Sequence, residues 1–182
     1  MGNATPCYFP VLGQGLGHQT GTGVVNTSLE DVAQLREFCQ GHSMTISNVF
    51  QTAWALILRA YVGSGDVCFG YVGSGREIPV DQVHDAVGPY VSVLVCRMEF
   101  HPTESVSEIV HRMHHDFVRS LPHQHACSLA EIQHQLRTSG KHLFNTVISL
   151  QKNWDESWKS SRFTLLNRAY EDPTEVGFEP HC

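Results

Sequence analysis

The sequence predicts an α/β fold, a layered α/β sandwich built around a mixed sheet. Segments with helical spacing of apolar residues alternate along the chain with short apolar runs of the kind that form strands. Of the 182 residues, 41% are hydrophobic and 16% are charged. That composition supplies a sizeable core and is unlike that of a disordered chain. The length suits one domain or one lobe of a larger domain.

Capping residues and apolar periodicity predict four helices. The first is expected to begin at Ser28 and to stop at Gly41. The second, capped by Ser47, runs through NVFQTAWALILRAYV. It is apolar almost all round, so we expect it deep in the core. Capping boxes at Ser105 and Ser128, each with a glutamate three residues later, predict the other two helices.

The remaining structured segments have the composition of strands. They are 66–72 (DVCFGYV), 90–100 (YVSVLVCRMEF), 144–151 (FNTVISLQ) and 162–171 (RFTLLNRAYE). The strand at 90–100 is apolar on both faces at its centre, which is typical of a covered sheet. Residues 1–22 are rich in Gly and Pro, so we expect a linker or an extended segment leading into a domain of residues 23–182.

Charge and cysteine usage narrow the class of function. The net charge of −6 argues against a surface for nucleic acid or for an anionic membrane. No apolar run approaches the ~20 residues that a membrane-spanning helix needs. The six cysteines are scattered without a C-x-x-C motif, which is typical of reduced, small apolar side chains. We therefore expect a cytoplasmic protein without a nucleic-acid or membrane partner.

The tetrapeptide V-G-S-G occurs at 62–65 and again at 72–75, followed by Arg76. Neither copy fits a phosphate-binding loop, because no Lys-Ser/Thr pair follows and Pro79 prevents a helix after the second copy. Gly63 is expected to end the second helix in the left-handed conformation. The second copy follows a strand, so the two copies have different structural roles.

Histidine and cysteine patterns do not define a metal centre or a hydrolase. His111, His114 and His115 share one helical face, yet no H-E-x-x-H is present, so a solvated face is the favoured interpretation. His125 and Cys127 are close in sequence, which rarely brings a base and a nucleophile together. The sequence also lacks a G-x-S-x-G motif. We assign no catalytic residue and no metal ligand.

Several longer motifs occur in a characteristic order over about residues 24–176. They are SNVFQTAWALILRAYVGSGDVCFGYVGSGREIPV, VGPYVSVLVCRM, SLPHQHACSLAEIQ, LFNTVISLQ and EDPTE. Together they resemble the C-terminal lobe of a condensation domain from a fungal nonribosomal peptide synthetase. The resemblance implies one lobe of a bilobed fold similar to chloramphenicol acetyltransferase, with the active site in a tunnel between the lobes.

The resemblance also implies an activity and partners. Condensation domains form amide bonds between aminoacyl or peptidyl thioesters held by carrier-protein (thiolation) domains. The substrates ride on phosphopantetheine, so no directly bound cofactor is expected. The other implied partner is an N-terminal condensation lobe, which supplies the catalytic H-H-x-x-x-D-G motif.

This chain departs from the family pattern at several points. It has no H-H-x-x-x-D-G; the run HHDFVRS at 114–120 has the two histidines without Asp-Gly and belongs to an amphipathic helix. Ser92 stands where V-G-x-F-V-N-T has Asn. The lobe is expected to be truncated after Glu175. Two alternatives therefore stay open: a non-catalytic module that binds carrier proteins or a partner lobe, and a fragment of a terminal cyclising domain.

The resemblance places a substrate-tunnel surface around the second V-G-S-G. It implies that Ser74, Gly75 and Arg76 end a strand at the lobe interface, close to a floor loop of residues 77–87. The same surface includes three residues further along the chain, Gly88, Tyr90 and Ser92. Glycine lets the backbone approach a pantetheine arm closely. Arg76 either pairs with a carboxylate across the lobes or stabilises the floor loop, and the second role is favoured.

Overall fold

A computed structural model describes residues 5–10, 25, 27–76, 81–83, 85–88, 90–136 and 142–151. Helices and a mixed sheet are both present in these residues, which confirms the predicted α/β class, although the elements do not alternate strictly along the chain. In chain order they are α1 (Val32–Gly41), α2 (Ile46–Val62), β1 (Asp66–Gly73), β2 (Ser92–Glu99), α3 (Val106–Ser120), a 3-10 turn (Leu121–His123), α4 (Leu129–Gln135) and β3 (Val147–Ile148). The predicted strand at 162–171 lies outside the described residues.

The sheet is mixed, as predicted, with the strand order β2-β1-β3. β1 and β2 are antiparallel along their full lengths, from the Asp66–Glu99 pair to the Gly73–Ser92 pair. β3 is parallel to β1 and is much shorter than the predicted strand at 144–151. The residues just before β3 pair elsewhere: Phe144 forms a parallel bridge with Cys7 of the N-terminal segment.

Two predicted helix starts are wrong. α1 begins at Val32 because Asp31 has a φ of 56°, in the left-handed region, so the helix cannot extend back to Ser28. α2 is capped by Thr45 instead of Ser47. The Thr45 hydroxyl accepts from the Asn48 backbone N–H, and the Asn48 side chain accepts from the Thr45 N–H.

The other predicted helix ends are confirmed. Gly63 ends α2 in the left-handed conformation, with a φ of 69°, and donates its N–H to the Arg59 carbonyl. The capping boxes at the starts of α3 and α4 both form. In each box the backbone N–H and hydroxyl of the serine donate to the glutamate, which lowers the pKa of Glu108 and of Glu131.

α2 buries only one face, so the prediction that it lies deep in the core is wrong. That face packs on β1 and α3 and consists of Asn48, Gln51, Thr52, Ala55 and Leu58. On the other side, Ile57 is 41% exposed and Tyr61 is 52% exposed. None of the helices among the described residues is long and apolar enough to cross a bilayer.

Most of the core lies between one face of the β1–β2 ribbon and the helices, and the same cluster includes Cys7, Cys68, Leu143 and Phe144. Alternate residues of the two strands are buried there: Val67, Phe69 and Tyr71 of β1, with Cys96 and Met98 of β2. Ile109 and Met113 of α3 cover them. Fully burying a side chain such as Phe69 stabilises the fold by roughly 1.5–3 kcal/mol.

β2 is well covered on one face only, whereas the sequence predicts two covered faces. Val93 is exposed and Val95 is half-buried on the face opposite Cys96. Arg97, on that face, makes a bidentate ion pair with Asp66 at 2.9 Å, and this hydrogen bonding raises the pKa of the arginine.

Four cysteines are buried and unpaired, as expected for small apolar side chains: Cys7, Cys39, Cys68 and Cys96. Burial raises the pKa of the Cys96 thiol to about 12, with a smaller contribution from the charge of Asp116. Burial likewise raises the pKa of Cys68. Because only the thiolate is nucleophilic, both side chains act as packing groups in the folded state. Cys127 is unpaired and exposed.

Candidate functional site

The turn after β1 has a conformation and a packing that require glycine. Gly75 has a φ of +59°, which non-glycine residues rarely adopt. A Cβ atom at this position would lie 1.8 Å from the carbonyl oxygen of Tyr90. The chain leaving β1 therefore runs directly against the chain that enters β2. This contact closes the end of the two-stranded ribbon on which the site is built.

Arg76 holds the loop between β1 and β2 through backbone atoms. Its Nη1 donates to the carbonyl oxygens of Val83, at 2.6 Å, and of Ala86, at 3.0 Å. The guanidinium carbon also lies 4.5 Å from the centroid of the Tyr90 ring, close enough for a cation–π contact. A planar guanidinium can donate to both carbonyl oxygens and stack on the ring at the same time. A lysine ammonium lacks this planar, forked arrangement of donors. These contacts suit the favoured loop-stabilising role of Arg76.

The structure brings four of the six candidate residues into one cluster: Gly75, Arg76, Gly88 and Tyr90. The Tyr90 ring connects them, because it lies under the Arg76 guanidinium and 3.5 Å from where a Cβ of Gly88 would be. Ser74 is exposed in the turn beside them. Ser92 begins β2 and pairs with Gly73 at the end of β1. The two serines thus flank the cluster.

The hydroxyl of Ser92 is buried without a hydrogen-bond partner among the described residues. It is the only side-chain nitrogen or oxygen in this part of the chain with that property. Leaving a buried polar group unsatisfied costs about 1–3 kcal/mol, so such atoms usually have a partner. The hydroxyl is therefore an unsatisfied polar atom enclosed beside the cluster.

Val83 and Ala86 belong to the site, although in the sequence they were distinguished only as members of the floor loop, residues 77–87. Both contribute carbonyl oxygens, which every residue carries, so their side chains hold no signal of this role. Val83 is buried as well, which anchors the loop from its apolar side. The only indirect signal was Arg76, whose guanidinium needs several acceptors wherever it is partly buried.

The histidines of α3 serve separate contacts, and HHDFVRS lies on the amphipathic α3 as predicted. His111 Nδ1 lies 2.7 Å from the Ser107 carbonyl oxygen, within the helix. His114 Nδ1 lies 3.0 Å from the buried Asn48 Oδ1 of α2. Among the described residues, no three His, Cys, Asp or Glu side chains are placed to hold a metal ion.

The family of the chain follows from comparison with known proteins. Residues 17–176 match the family described as Condensation domain, which is most of the chain. The chain therefore belongs to the condensation-domain family, and the resemblance drawn from the ordered motifs is confirmed.

Curated relatives extend this assignment to a group of synthetases. Nonribosomal peptide synthetase 5 of Gibberella zeae is 45% identical over 182 residues, covering 96% of this chain. Nonribosomal peptide synthetase atnA of Emericella nidulans is 39% identical over 176 residues, covering 95% of this chain. The chain spans about 2% of the length of each of these two relatives. It is thus similar to one small part of a very long fungal enzyme.

Solved structures agree on the fold. A protein described as CT superposes with a TM-score of 0.54 at 23% identity, covering 74% of this chain and 28% of that one. The four-domain nonribosomal peptide synthetase holo-AB3403, bound to AMP and glycine, superposes with a TM-score of 0.60 at 10% identity, covering 69% of this chain and 10% of that one. At these identities the likeness shows the fold alone.

Proposed function

We propose that the chain forms the C-terminal lobe of a condensation domain that joins carrier-bound substrates in nonribosomal peptide synthesis. The observation that carries the proposal is the Arg76 cluster, in which Arg76 holds the floor loop beside the exposed Gly88, within the range that matches the family. Residues 23–182 make up the lobe in this proposal, and residues 1–22 lead into it. The partners are carrier-protein domains and an N-terminal condensation lobe.

The reaction is an acyl transfer from sulfur to nitrogen. The amine on one carrier arm attacks the thioester carbonyl on the other, forming the amide bond as the carbon–sulfur bond breaks. The proton lost by the amine is taken up by the departing thiolate. The proton-transferring histidine comes from the partner lobe, because this sequence has no H-H-x-x-x-D-G motif.

The Arg76 cluster positions a carrier arm in this proposal. Gly88 is exposed and presents backbone without a side chain, so an extended arm can approach it closely, while the buried Gly75 fixes the turn beneath. Arg76 and Tyr90 keep that surface rigid, which limits the entropy lost on binding. One structural neighbour supports this choice of ligand. It is a variant of the starter condensation domain of rhizomide synthetase RzmA in complex with C8-CoA, and coenzyme A contains a pantetheine arm.

A chimeric synthetase tests the proposal. Residues 17–176 replace the matching segment of a condensation domain in the Gibberella zeae synthetase, whose own N-terminal lobe is retained. We expect the chimera to form the peptide product, measured by mass spectrometry. A chimera with alanine in place of the host's catalytic histidine gives the background level of product formation.

Variants of the chimera show whether the rate of product formation depends on the Arg76 cluster or on the lobe in general. Arg76→Lys loses the fork that holds the floor loop, and we expect the rate to fall about tenfold, the effect of one lost charge-assisted hydrogen bond. Arg119→Lys changes an exposed arginine at the end of α3 and should have no effect. A folded chimera that binds carrier protein yet makes no product would contradict the catalytic role. That result would favour a binding module.

A further inference from the structure

Two exposed histidines from different helices lie side by side at the surface. His42 directly follows the last residue of α1, and His111 lies in the second turn of α3. Their ring centroids are 5.7 Å apart, and the ring planes are inclined at 75°. The sequence groups His111 with its neighbours His114 and His115 on one helix, whereas the structure places its ring beside a ring from another helix.

Backbone hydrogen bonds fix the tautomer of both rings. His42 Nδ1 lies 2.9 Å from the Phe38 carbonyl oxygen, and His111 Nδ1 lies 2.7 Å from the Ser107 carbonyl oxygen. A carbonyl oxygen can only accept, so each Nδ1 carries the proton and each neutral ring presents a lone pair on Nε2. Neither Nε2 atom has a hydrogen-bond partner among the described residues. Metal-binding histidines are oriented in this way, with one ring nitrogen bonded to a carbonyl and the other directed to the ion.

The spacing of the two rings suits one shared ion. Two imidazoles that bind Zn²⁺ at about 2.0–2.1 Å per nitrogen have ring centroids roughly 5–6 Å apart. Because both side chains are exposed, small rotations can bring both Nε2 atoms onto one ion. Imidazole is a ligand for transition metals such as Zn²⁺, whereas Mg²⁺ and Ca²⁺ take oxygen ligands. No group of three His, Cys, Asp or Glu forms in the described part of the chain, so a bound ion keeps water in its remaining coordination positions.

α1 is the element that such an ion would hold in place. Cys39 is the buried residue of this helix, and Phe38 is 39% exposed. α3, in contrast, buries Ile109, Val110 and Met113. α1 therefore has little apolar burial to keep it attached, which is typical of segments that open locally. An ion that binds both helices when they are in contact, and only one of them when α1 opens, favours the closed arrangement.

We propose that His42 and His111 form a two-histidine site for a transition-metal ion of the Zn²⁺ class, and that the bound ion fastens α1 to α3. Each histidine donates the lone pair of its Nε2 atom, and no covalent bond breaks. The ion binds neutral imidazole, so acidification weakens binding. The site shares no residue with the Arg76 cluster, and it does not depend on the proposed function.

A titration of the full chain with Zn²⁺, followed by long-range ¹H–¹⁵N spectra of the imidazole nitrogens, tests the site directly. We expect the Nε2 signals of His42 and His111 to shift together and to saturate, while both Nδ1 atoms stay protonated. Two imidazoles supply about half the donors of a structural zinc site, so the Kd should be on the order of 10–100 µM. His134, an exposed histidine of α4, is the internal control and should not shift in this range.

Single and double variants show whether the two rings share one ion. His42→Ala and His111→Ala should each weaken zinc binding at least about tenfold, because one imidazole remains. In the double variant the second change should cost less than about threefold more, since the first change has already removed the shared site. His134→Ala is the matched control and should leave the Kd unchanged. All three positions are exposed, so these substitutions leave the core intact.

Amide hydrogen exchange tests whether the ion fastens α1. At a zinc concentration ten times the Kd, the His42 amide, which donates to the Phe38 carbonyl, should exchange about tenfold more slowly. The same zinc concentration should have no effect on this amide in His111→Ala. Exchange that zinc does not slow in the natural chain would reject the fastening of α1.

Three results would overturn the site itself. They are the absence of saturable Nε2 shifts at His42 and His111, binding that neither alanine variant weakens, and independent losses that add in the double variant. Binding that disappears in Cys127→Ser would place the zinc ion at this exposed thiol and would likewise reject the histidine pair.

Discussion

At the scale of single residues, Gly75 meets two requirements: a left-handed backbone conformation and close packing against the Tyr90 carbonyl oxygen. Alanine at this position pays about 1–2 kcal/mol for the left-handed backbone alone. Its Cβ also collides with the Tyr90 carbonyl oxygen, which lies 1.8 Å from the ideal Cβ position. We expect Gly75→Ala to lower the free energy of unfolding in urea by about 2 kcal/mol or more.

Gly41 provides the matched control for Gly75. It ends α1, and a Cβ there would have nothing within 4 Å. Gly41→Ala should leave the free energy of unfolding unchanged or raise it by up to about 1 kcal/mol, since alanine favours helix. Equal losses in the two variants would show that the turn after β1 does not depend on glycine.

The raised pKa of the Cys96 thiol leads us to expect that the protein loses stability at alkaline pH. Its pKa is raised from 9.0 to about 12 in the folded state, chiefly by burial. The stabilisation is fully present below pH 9 and disappears as the pH rises toward 12, because the unfolded chain loses its proton first. Cys96→Ala should flatten the fall in unfolding free energy over this window, measured by urea titrations at successive pH values. An unchanged slope would contradict the buried-thiol explanation.

At the scale of elements, the structure and the sequence prediction differ in the N-terminal cap of α2, which is Thr45 in the structure and Ser47 in the prediction. Thr45→Ala removes the hydroxyl that accepts from the Asn48 N–H and should lower the unfolding free energy by about 1 kcal/mol. Ser47→Ala, at the cap that the sequence predicts, lies inside the helix and should be neutral within about 0.5 kcal/mol. Thermal and urea unfolding of both variants measure the difference. The reverse order of stabilities would mean that the helix starts at Ser47.

The elements differ in how far the sequence predicts them, and local chemistry explains the difference. The boxes at Ser105 and Ser128 were predictable because serine and glutamate three residues apart satisfy each other's backbone. The start of α2 was not, because Thr45 and Ser47 are both good caps and the partner that decides is Asn48. The start of α1 depends on the left-handed backbone of Asp31, which composition does not reveal.

The candidate site likewise contains residues that could be selected from the sequence and residues that could not. Gly75 and Arg76 were selected through the family resemblance, which placed them at the end of a strand beside the floor loop. The acceptors of Arg76 did not, because they are backbone carbonyls of Val83 and Ala86. The histidine pair between α1 and α3 was also beyond sequence reasoning, since its two rings come from helices that are far apart in the sequence.

At the scale of the whole molecule, residues 5–10 join the core through partners near the other end of the described chain. The Cys7 N–H donates to the Leu143 carbonyl, and Phe9 stacks on Trp54 of α2. Trp54 in turn donates its indole N–H to the Thr146 hydroxyl. The Cys7–Leu143 bond spans 136 residues of sequence, as the Phe9–Asn145 hydrogen bond does, and the Trp54–Thr146 bond spans 92. Long-range pairing of this kind leaves no local pattern for a sequence to show.

The Asn145 side chain holds the N-terminal segment through two hydrogen bonds to the Phe9 backbone, and different substitutions remove one or both of them. Its Oδ1 accepts from the Phe9 backbone N–H at 2.7 Å, and its Nδ2 donates to the Phe9 carbonyl at 3.1 Å. Asn145→Ala loses both bonds and should lower the unfolding free energy by about 1–3 kcal/mol. Asn145→Asp keeps an acceptor for the N–H and loses only the donor.

Amide hydrogen exchange distinguishes these variants at the atom concerned. The Phe9 amide should exchange at least about tenfold faster in Asn145→Ala than in the natural chain, because its acceptor is gone. In Asn145→Asp it should stay protected. The Met44 amide, which bonds to the Cys39 carbonyl far from Asn145, serves as the internal control. If the Phe9 amide keeps its protection in Asn145→Ala, the N-terminal segment is held by the Trp54 stack and the Leu143 bond, and the side chain of Asn145 is dispensable to the fold.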